Sequence, residues 1–232
     1  MDYRDRHVVV SGGTGALGGA VVGPLLAAGA FCHVPYIHEG EAERFAHKGH
    51  ERVRLVGATD LADEAAVARL YAGVPRLWAS IHIAGGFTMA PIVETDKKML
   101  MAQLEMNLAS CFLCCRAAVA AMKAAGGGRI VNVAARHALE PRTGAGMTAY
   151  TASKAAVAAL TQALAQEVAG DGILVNAIAP SIMDTAKNRK DMPKADFALW
   201  PKVEEVAATI LFLASPENRV TRGAVVPVYG RS

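Results

Sequence analysis

Two kinds of apolar segment alternate along the whole chain, and this alternation limits the folds that the chain can adopt. Short runs rich in β-branched residues predict seven strands: His7–Ser11, Phe31–Tyr36, Arg52–Val56, Leu77–Ala84, Arg129–Ala134, Ile173–Ala179 and Ala224–Tyr229. Alanine-rich stretches with helical spacing predict helices between them: Leu17–Ala28, Glu41–His47, Asp63–Tyr71, Lys97–Ala125, Thr148–Val168 and Val203–Ala214. We therefore expect an α/β protein, a three-layer doubly wound parallel sheet in one domain over residues 1–232.

Composition supports a large core and excludes several classes of partner. Hydrophobic residues make up 53% of the chain and charged residues 19%. The net charge of +3 is small and its cations are scattered, so we expect no nucleic-acid partner. The charged N-terminus is not a secretory signal, and no uninterrupted apolar run reaches the ~18 residues that span a bilayer. These features predict a cytoplasmic protein without a membrane partner.

Four cysteines are present, and three of them, Cys111, Cys114 and Cys115, share one predicted helix. Neither a helix-start CxxC nor a second pair of ligands accompanies them. We expect small buried hydrophobic residues and no metal site.

Residues 182–202, which we call the flap, depart from the alternation. The flap is polar, contains Pro193 and Pro201, and carries the cationic side chains Lys187, Arg189, Lys190 and Lys194. Such a segment is typical of a mobile cover over the carboxyl ends of the strands.

A glycine-rich loop, Ser11-Gly12-Gly13-Thr14-Gly15-Ala16-Leu17-Gly18, directly follows the first strand and opens the first helix. Glycines allow the backbone to turn sharply and to approach a pyrophosphate, and the helix N-terminus supplies N–H donors. This context predicts a dinucleotide site, held by Gly12, Thr14, Gly15, Ala16, Leu17 and Gly18.

The end of the second strand bears on the choice between NAD and NADP. An acidic residue there accepts hydrogen bonds from the adenosine ribose and repels a 2′-phosphate. Tyr36, Ile37 and His38 occupy the place, and none is acidic. The cofactor is thus NADP or NAD, with NADP favoured; His38 is either the neighbour of the phosphate or a plain surface residue.

Tyr150 and Lys154 are four residues apart in a predicted helix. That spacing places both on one face, one turn apart, so an ammonium can stand close to a phenol. A free tyrosine titrates near pH ~10, and a neighbouring cation lowers this value. The pair predicts a general acid and base that gives a proton to a substrate oxygen or nitrogen, or takes one from it.

These motifs together resemble those of the short-chain dehydrogenases/reductases: Gly12, Gly15 and Gly18 in the loop, and the Tyr150 and Lys154 pair. The resemblance implies a Rossmann fold and an oxidoreductase that transfers hydride between NAD(P) and a small carbonyl, alcohol or imine. It implies that Asn107 bends its helix and holds a water in the proton relay to Lys154. Further cofactor contacts are implied for Asp60, Leu61, Ala84, Gly85, Gly86, Asn107, Tyr150, Lys154, Pro180, Ile182 and Thr185.

The chain departs from that family at two places. His82 and Ile83 stand where the family has two asparagines, so the strand-bracing bonds of those amides are expected to be lost. Ala135 stands where a serine binds the substrate oxygen, and one such donor is worth about 10²–10³ in rate. Three explanations are open for the missing serine. A nearby donor on His137, Thr143 or Thr148 substitutes for its hydroxyl, or the substrate does not need that hydrogen bond. In the third, the protein is a cofactor-binding sensor with weak catalysis.

The flap is similar to that of quinonoid dihydropteridine reductases, which reduce a C=N bond and also lack the serine. Dihydropteridine reductase-like activity is therefore an alternative function. By either function the substrate residues are Ala135, His137, Arg189, Phe197 and Trp200. Small residues such as Ala155, Ala156, Ala158 and Ala159 predict a homodimer or homotetramer, as is common in the family.

Overall fold

One parallel sheet of seven strands organises the chain in the computed structural model, which describes all 232 residues. The strands are β1 His7–Ser11, β2 Phe31–Pro35, β3 Val53–Val56, β4 Leu77–His82, β5 Gly128–Val133, β6 Ile173–Pro180 and β7 Val225–Val228. Their order is β3-β2-β1-β4-β5-β6-β7, so the direction of winding reverses between β1 and β4. The predicted doubly wound α/β fold is confirmed, and the reversal point is where such sheets bind ligands.

Helices cover both faces of the sheet. They are α1 Ala16–Ala27, α2 Glu39–Arg44, α3 Glu64–Ala72, α4 Lys97–Leu104, α5 Ser110–Ala125, α6 Arg136–Leu139, α7 Thr148–Glu167, α8 Ala186–Asp191 and α9 Val203–Ala214. The predicted boundaries hold to within a few residues. Two differences concern the site, because β2 ends before Tyr36 and β4 ends before Ala84, which leaves both residues in loops.

Alternating side chains of the strands build two cores, one on each face of the sheet. Val8 and Val10 of β1 point into the first core, and Val9 points into the second; all three are fully buried. The first core includes side chains of α1 and α9, and the second includes side chains of α3, α5 and α7. The near-continuous apolar strands of the sequence follow from this double burial.

The predicted helix Lys97–Ala125 is interrupted by a π-helical turn at Glu105–Ala109. The wider turn lies between α4 and α5 and has Asn107 at its centre, with 1% of that residue exposed. By length and composition alone this helical stretch could cross a membrane. Its Cys111, Cys114 and Met122 instead pack in the second core, and core helices pass the same test.

The flap has regular structure of its own. A parallel bridge between Asp184 and Lys202 joins its two ends. Between them, the Thr185 hydroxyl accepts a hydrogen bond from the Asn188 N–H and caps α8, and a 3₁₀ turn spans Phe197–Leu199. Its mobility stays a prediction.

Candidate active site

The nucleotide loop is shaped by the absence of side chains. Gly12 has a positive φ of 68°, and a Cβ added there would lie 2.7 Å from the Ala84 nitrogen. A Cβ at Gly18 would lie 2.1 Å from the Gly12 carbonyl oxygen. The loop therefore packs directly on the end of β4 and on the first turn of α1, and only glycine fits both places.

The first turn of α1 presents unpaired donors. The N–H groups of Ala16, Leu17 and Gly18 find no acceptor within the chain, and no side chain caps the helix at Gly15. The first turn carries no acidic residue. Free donors and the positive end of a helix dipole fit a pyrophosphate, so the loop suits the predicted dinucleotide.

The end of β2 carries more negative charge than the sequence indicated. The Tyr36 hydroxyl donates to the Glu39 carboxylate, 3.2 Å from each oxygen, and the Ile37 N–H donates to Glu41 at 3.3 Å. Residues 36–38 themselves carry no carboxylate, but the first turn of α2 brings those of Glu39 and Glu41 back to the strand end. The main reason to favour NADP is therefore removed. His38 precedes α2, is exposed, and remains only a predicted neighbour of a phosphate.

The predicted adenine contacts lie just beyond β3. Asp60 is exposed, and its carboxylate accepts a hydrogen bond from the Ala62 N–H at 2.9 Å. Leu61 is half-buried against the second core. Asp60 is thus held by its own turn with one oxygen uncommitted, and both contacts stay predictions.

Tyr150 lies half-buried near the start of α7, between two rings. The Phe87 ring is 5.0 Å away and the His137 ring is 6.1 Å away, both edge-on. Lys154, one turn further along α7, is buried, and its ammonium donates to the Val133 carbonyl at 2.9 Å. The two side chains of the predicted pair therefore occupy the carboxyl end of β5.

Asn107, Gly85 and Lys154 meet at a single point. A Cβ added to Gly85 would lie 2.5 Å from Asn107 Oδ1 and 3.4 Å from Lys154 Nζ. The Asn107 amide accepts from the Gly86 N–H at 2.9 Å and donates to the Gly86 carbonyl and to Ser153 Oγ, each at 3.0 Å. The implied helix bend is present as the π turn, and the amide fixes the loop after β4. The implied water stays a prediction.

Burial controls the protonation of both groups of the pair. It raises the pKa of Tyr150 to about 12 and lowers the pKa of Lys154 to about 8. The expectation that Lys154 lowers the pKa of Tyr150 is not met in this structure, because removal of the phenolate from water is the only resolved influence on that hydroxyl. Tyr150 is therefore a protonated phenol at neutral pH.

The two family amides are absent at His82 and Ile83, but the strands β4 and β5 are still braced, because His82 takes over that task. The Asn132 amide donates to Thr161 Oγ1 at 2.9 Å, so its oxygen faces His82 Nδ1 at 2.8 Å. On the other side of the ring, Nε2 lies 2.7 Å from Ser80 Oγ, which lies 2.6 Å from the Tyr71 hydroxyl. An imidazole thus joins β4 to β5 in place of amides, within a buried network.

All four cysteines are buried, as expected, and burial raises the pKa of Cys32 and Cys114 to about 12. Three metal-type ligands, on His82, Cys111 and Cys115, lie within 4.8 Å of one another, a grouping that the spacing of these residues in the sequence does not predict. The ring atom nearest the sulfurs, Nδ1, already faces the Asn132 oxygen at 2.8 Å. The hydrogen bonding of the cluster is therefore satisfied by protein groups alone.

Ala135 directly precedes α6 and is buried, so a methyl group occupies the position that corresponds to the family serine. Of the three proposed substitutes, only His137 has its ring edge-on to Tyr150. Thr143 contacts His137 instead, with Oγ1 2.8 Å from Nδ1. Thr148 is the exposed first residue of α7.

The predicted flap contacts form a group of their own. Arg189 makes two hydrogen bonds to Asp184 and lies 5.0 Å from the Phe197 ring, which is 5.0 Å from Trp200. These residues line a pocket with Lys202 and Arg231, and Tyr150, Lys154 and His137 are not part of it. The structure thus brings the three substrate candidates of the flap together in a pocket that Tyr150 does not line, and their contact with a substrate stays a prediction.

Three predicted cofactor residues, Pro180, Ile182 and Thr185, lie at the end of β6 or just beyond it. Pro180 ends the strand, Ile182 is exposed, and Thr185 caps α8. Their contacts with a cofactor stay predictions.

Comparison with known proteins agrees with this geometry. Residues 6–196 match the model of the short chain dehydrogenase family. The chain is 31% identical to 2,3-dihydroxy-2,3-dihydro-p-cumate dehydrogenase of Pseudomonas putida, over 100% of this chain and 96% of that protein. It is 33% identical to galactitol 2-dehydrogenase of Rhizobium johnstonii, over 98% of this chain and 97% of that protein.

Solved structures give the same result. A short-chain type dehydrogenase/reductase from Mycobacterium ulcerans superposes with a TM-score of 0.90 at 26% identity, covering 100% of this chain and 90% of that one. A blue fluorescent protein from a metagenomic library, solved in complex with NADPH, superposes with a TM-score of 0.89 at 27% identity, covering 99% and 98%. The chain therefore belongs to the short-chain dehydrogenase family and is an oxidoreductase.

Proposed function

We propose that the protein interconverts a small secondary alcohol and its ketone with NAD or NADP, and that Tyr150 is the general acid and base. One observation carries this proposal. The half-buried Tyr150 phenol lies one helical turn from Lys154, and its hydroxyl makes no hydrogen bond within the chain, so it is free to meet a substrate. Binding alone needs no such group, which argues against a mere cofactor sensor.

The chain's residues have distinct tasks in this reaction. The bound dinucleotide supplies or takes up the hydride. In reduction, the Tyr150 hydroxyl donates its proton to the substrate oxygen, and the pKa of about 12 keeps that proton in place until it is needed. In oxidation the phenol must first lose its proton; burial opposes that loss, and the positive nicotinamide of a bound oxidised cofactor would favour it.

The dinucleotide would be held across the end of the sheet between β1 and β4. The nucleotide loop and the N–H groups of α1 suit the pyrophosphate. Gly85, Lys154 and Asn107 line the centre of the edge, where a Cβ at Gly85 would have no room. Glu39 and Glu41 place negative charge at the end of β2, which opposes a 2′-phosphate, so we infer that NAD binds more tightly than NADP.

The alcohol substrate is supported by the relatives, which are named as dehydrogenases of a ring diol and of galactitol. Dihydropteridine reductase-like activity stays a prediction. Its flap residues, Arg189, Phe197 and Trp200, line a pocket that does not include Tyr150.

A panel of secondary alcohols and polyols, assayed with each dinucleotide, tests the function. We expect Tyr150→Phe to lower kcat by about 10²–10⁴ without weakening the binding of NADH. Tyr229→Phe, which removes a phenol hydroxyl beside Arg136, serves as the matched control and should keep wild-type rates. Equal rates for Tyr150→Phe and wild type would contradict the proposal.

We also propose that the protein is a homodimer or homotetramer. Leu100, Met101, Met106 and Phe112 are 36–49% exposed along α4, the π turn and α5, and form an apolar surface. Among the alanines of α7, Ala158 is buried within its own subunit and Ala159 is exposed. Light scattering at micromolar concentration measures the assembly directly.

A further inference from the structure

A short chain of hydrogen bonds fixes the position of the proton on His137. Its Nδ1 lies 2.8 Å from Thr143 Oγ1, and that hydroxyl lies 2.8 Å from the Glu140 carbonyl oxygen. The carbonyl can only accept, and a hydroxyl has one hydrogen to give. Both bonds form together only if Thr143 donates to Glu140 and accepts from the Nδ1–H of His137. The neutral ring then presents Nε2 as a lone pair.

The surroundings keep this ring neutral. Burial, and then the Arg136 cation, lower the pKa of His137 below its ordinary 6.5, while the Glu140 carboxylate opposes them. At the pH of an ordinary assay the imidazole therefore carries one proton, on Nδ1. Its other nitrogen cannot donate to a carbonyl oxygen, so His137 does not replace the missing serine.

The acceptor stands beside the reactive phenol. The centroids of the His137 and Tyr150 rings are 6.1 Å apart and the rings are inclined at 72°, so both side chains border the same part of the site. The neighbouring Ala135 offers only a methyl group. The site thus holds a hydrogen-bond donor, the Tyr150 hydroxyl, and a hydrogen-bond acceptor, the unprotonated Nε2 of His137.

We propose that His137 selects substrates with two neighbouring hydroxyl groups, because its Nε2 accepts a hydrogen bond from the hydroxyl next to the one that Tyr150 serves. The inference rests on the proposed function and narrows the substrate class to vicinal diols and polyols. A simple alcohol fills the same space but leaves the Nε2 lone pair without a donor, which costs binding free energy.

Two substrates that differ by one hydroxyl test the proposal: cyclohexanol and cis-1,2-cyclohexanediol, assayed at about pH 8. We expect wild type to favour the diol in kcat/KM by about two- to tenfold, the value of one neutral hydrogen bond. His137→Phe keeps a ring beside Tyr150 but has no acceptor, so the ratio should fall to about one. Thr143→Val frees the tautomer and should give an intermediate ratio.

Phe87→Leu is the matched control, because it changes the other ring that packs on Tyr150 without touching the acceptor. It should change both rates alike and leave the ratio at the wild-type value. A diol preference that survives His137→Phe while Tyr150→Phe abolishes both activities would overturn the role of His137 and leave the proposed function standing. Oxidation of neither compound, nor of any other alcohol, would instead reject the proposed function and the inference with it.

A readout without turnover is available as well. Nitrogen-15 NMR of the imidazole should show a protonated Nδ1 and a bare Nε2 in wild type, and a mixture of tautomers in Thr143→Val. A bare Nδ1 in wild type would reject the tautomer, and with it the proposed selection, whatever the kinetics.

Discussion

The nucleotide loop and the network around His82 lie at neighbouring strands of the same sheet, but they are built in opposite ways. The loop depends on missing atoms, since a Cβ at Gly12 or Gly18 would collide with backbone. The network depends on paired donors and acceptors carried by Tyr71, Ser80, His82 and Asn132. Where a Cβ would collide with backbone, only glycine can be accommodated. Where buried groups need hydrogen bonds, any residue that supplies the missing donor or acceptor can be accommodated.

The largest effect is expected in the loop. Gly18→Ala would place a methyl group 2.1 Å from the Gly12 oxygen, so the loop must shift and the pyrophosphate cradle with it. We expect dinucleotide affinity to fall at least about tenfold, with about 1–3 kcal/mol of lost stability. Titration by intrinsic fluorescence and thermal unfolding measure the two losses.

Gly19→Ala is the control for that substitution, because a Cβ at Gly19 meets nothing within 4 Å. It lies in the same helix and should bind NADH as wild type does. If Gly18→Ala bound equally well, the loop would not depend on empty space and the contrast with the network would disappear.

A smaller effect is expected in the network. His82→Leu would remove the ring partner of the Asn132 oxygen and one of the two partners of the Ser80 hydroxyl, which keeps its contact with Tyr71, at a cost of about 1–3 kcal/mol. His82→Asn restores one amide and should lose less. Chemical denaturation gives both free energies of unfolding, and an equal loss for the two variants would show that volume matters there rather than pairing.

The smallest effect is expected at the end of β2. Glu39→Gln removes one exposed carboxylate from the Tyr36 hydroxyl while keeping an acceptor for it. Because exposed charges act through water and salt, the ratio of NADP to NAD affinity should rise only a few-fold. Glu43→Gln, on the same helix, is the control. If the ratio of NADP to NAD affinity stayed unchanged in Glu39→Gln, the Glu39 charge would not influence the choice of cofactor.

The same contrast explains how much the sequence could predict. The alternation of strands and helices, the glycine loop and the spacing of Tyr150 and Lys154 are local patterns, and the fold that they predicted is confirmed. The pairing of His82 with Asn132 joins residues fifty positions apart, and no local pattern carries it. For the same reason the sequence missed the Glu39 carboxylate at the strand end.

The direction of the buried network has a further consequence. Thr161 can donate only to the Val157 carbonyl, so the Asn132 amide, the His82 ring and the Ser80 hydroxyl must all orient their hydrogens the same way, starting from Tyr71 on α3. The hydrogen bonds of this row all point the same way, so their dipoles are aligned and each bond polarises the next. The row ends on α7, the helix that carries Tyr150, so the orientation of the Tyr71 hydroxyl on α3 is linked through hydrogen bonds to that helix.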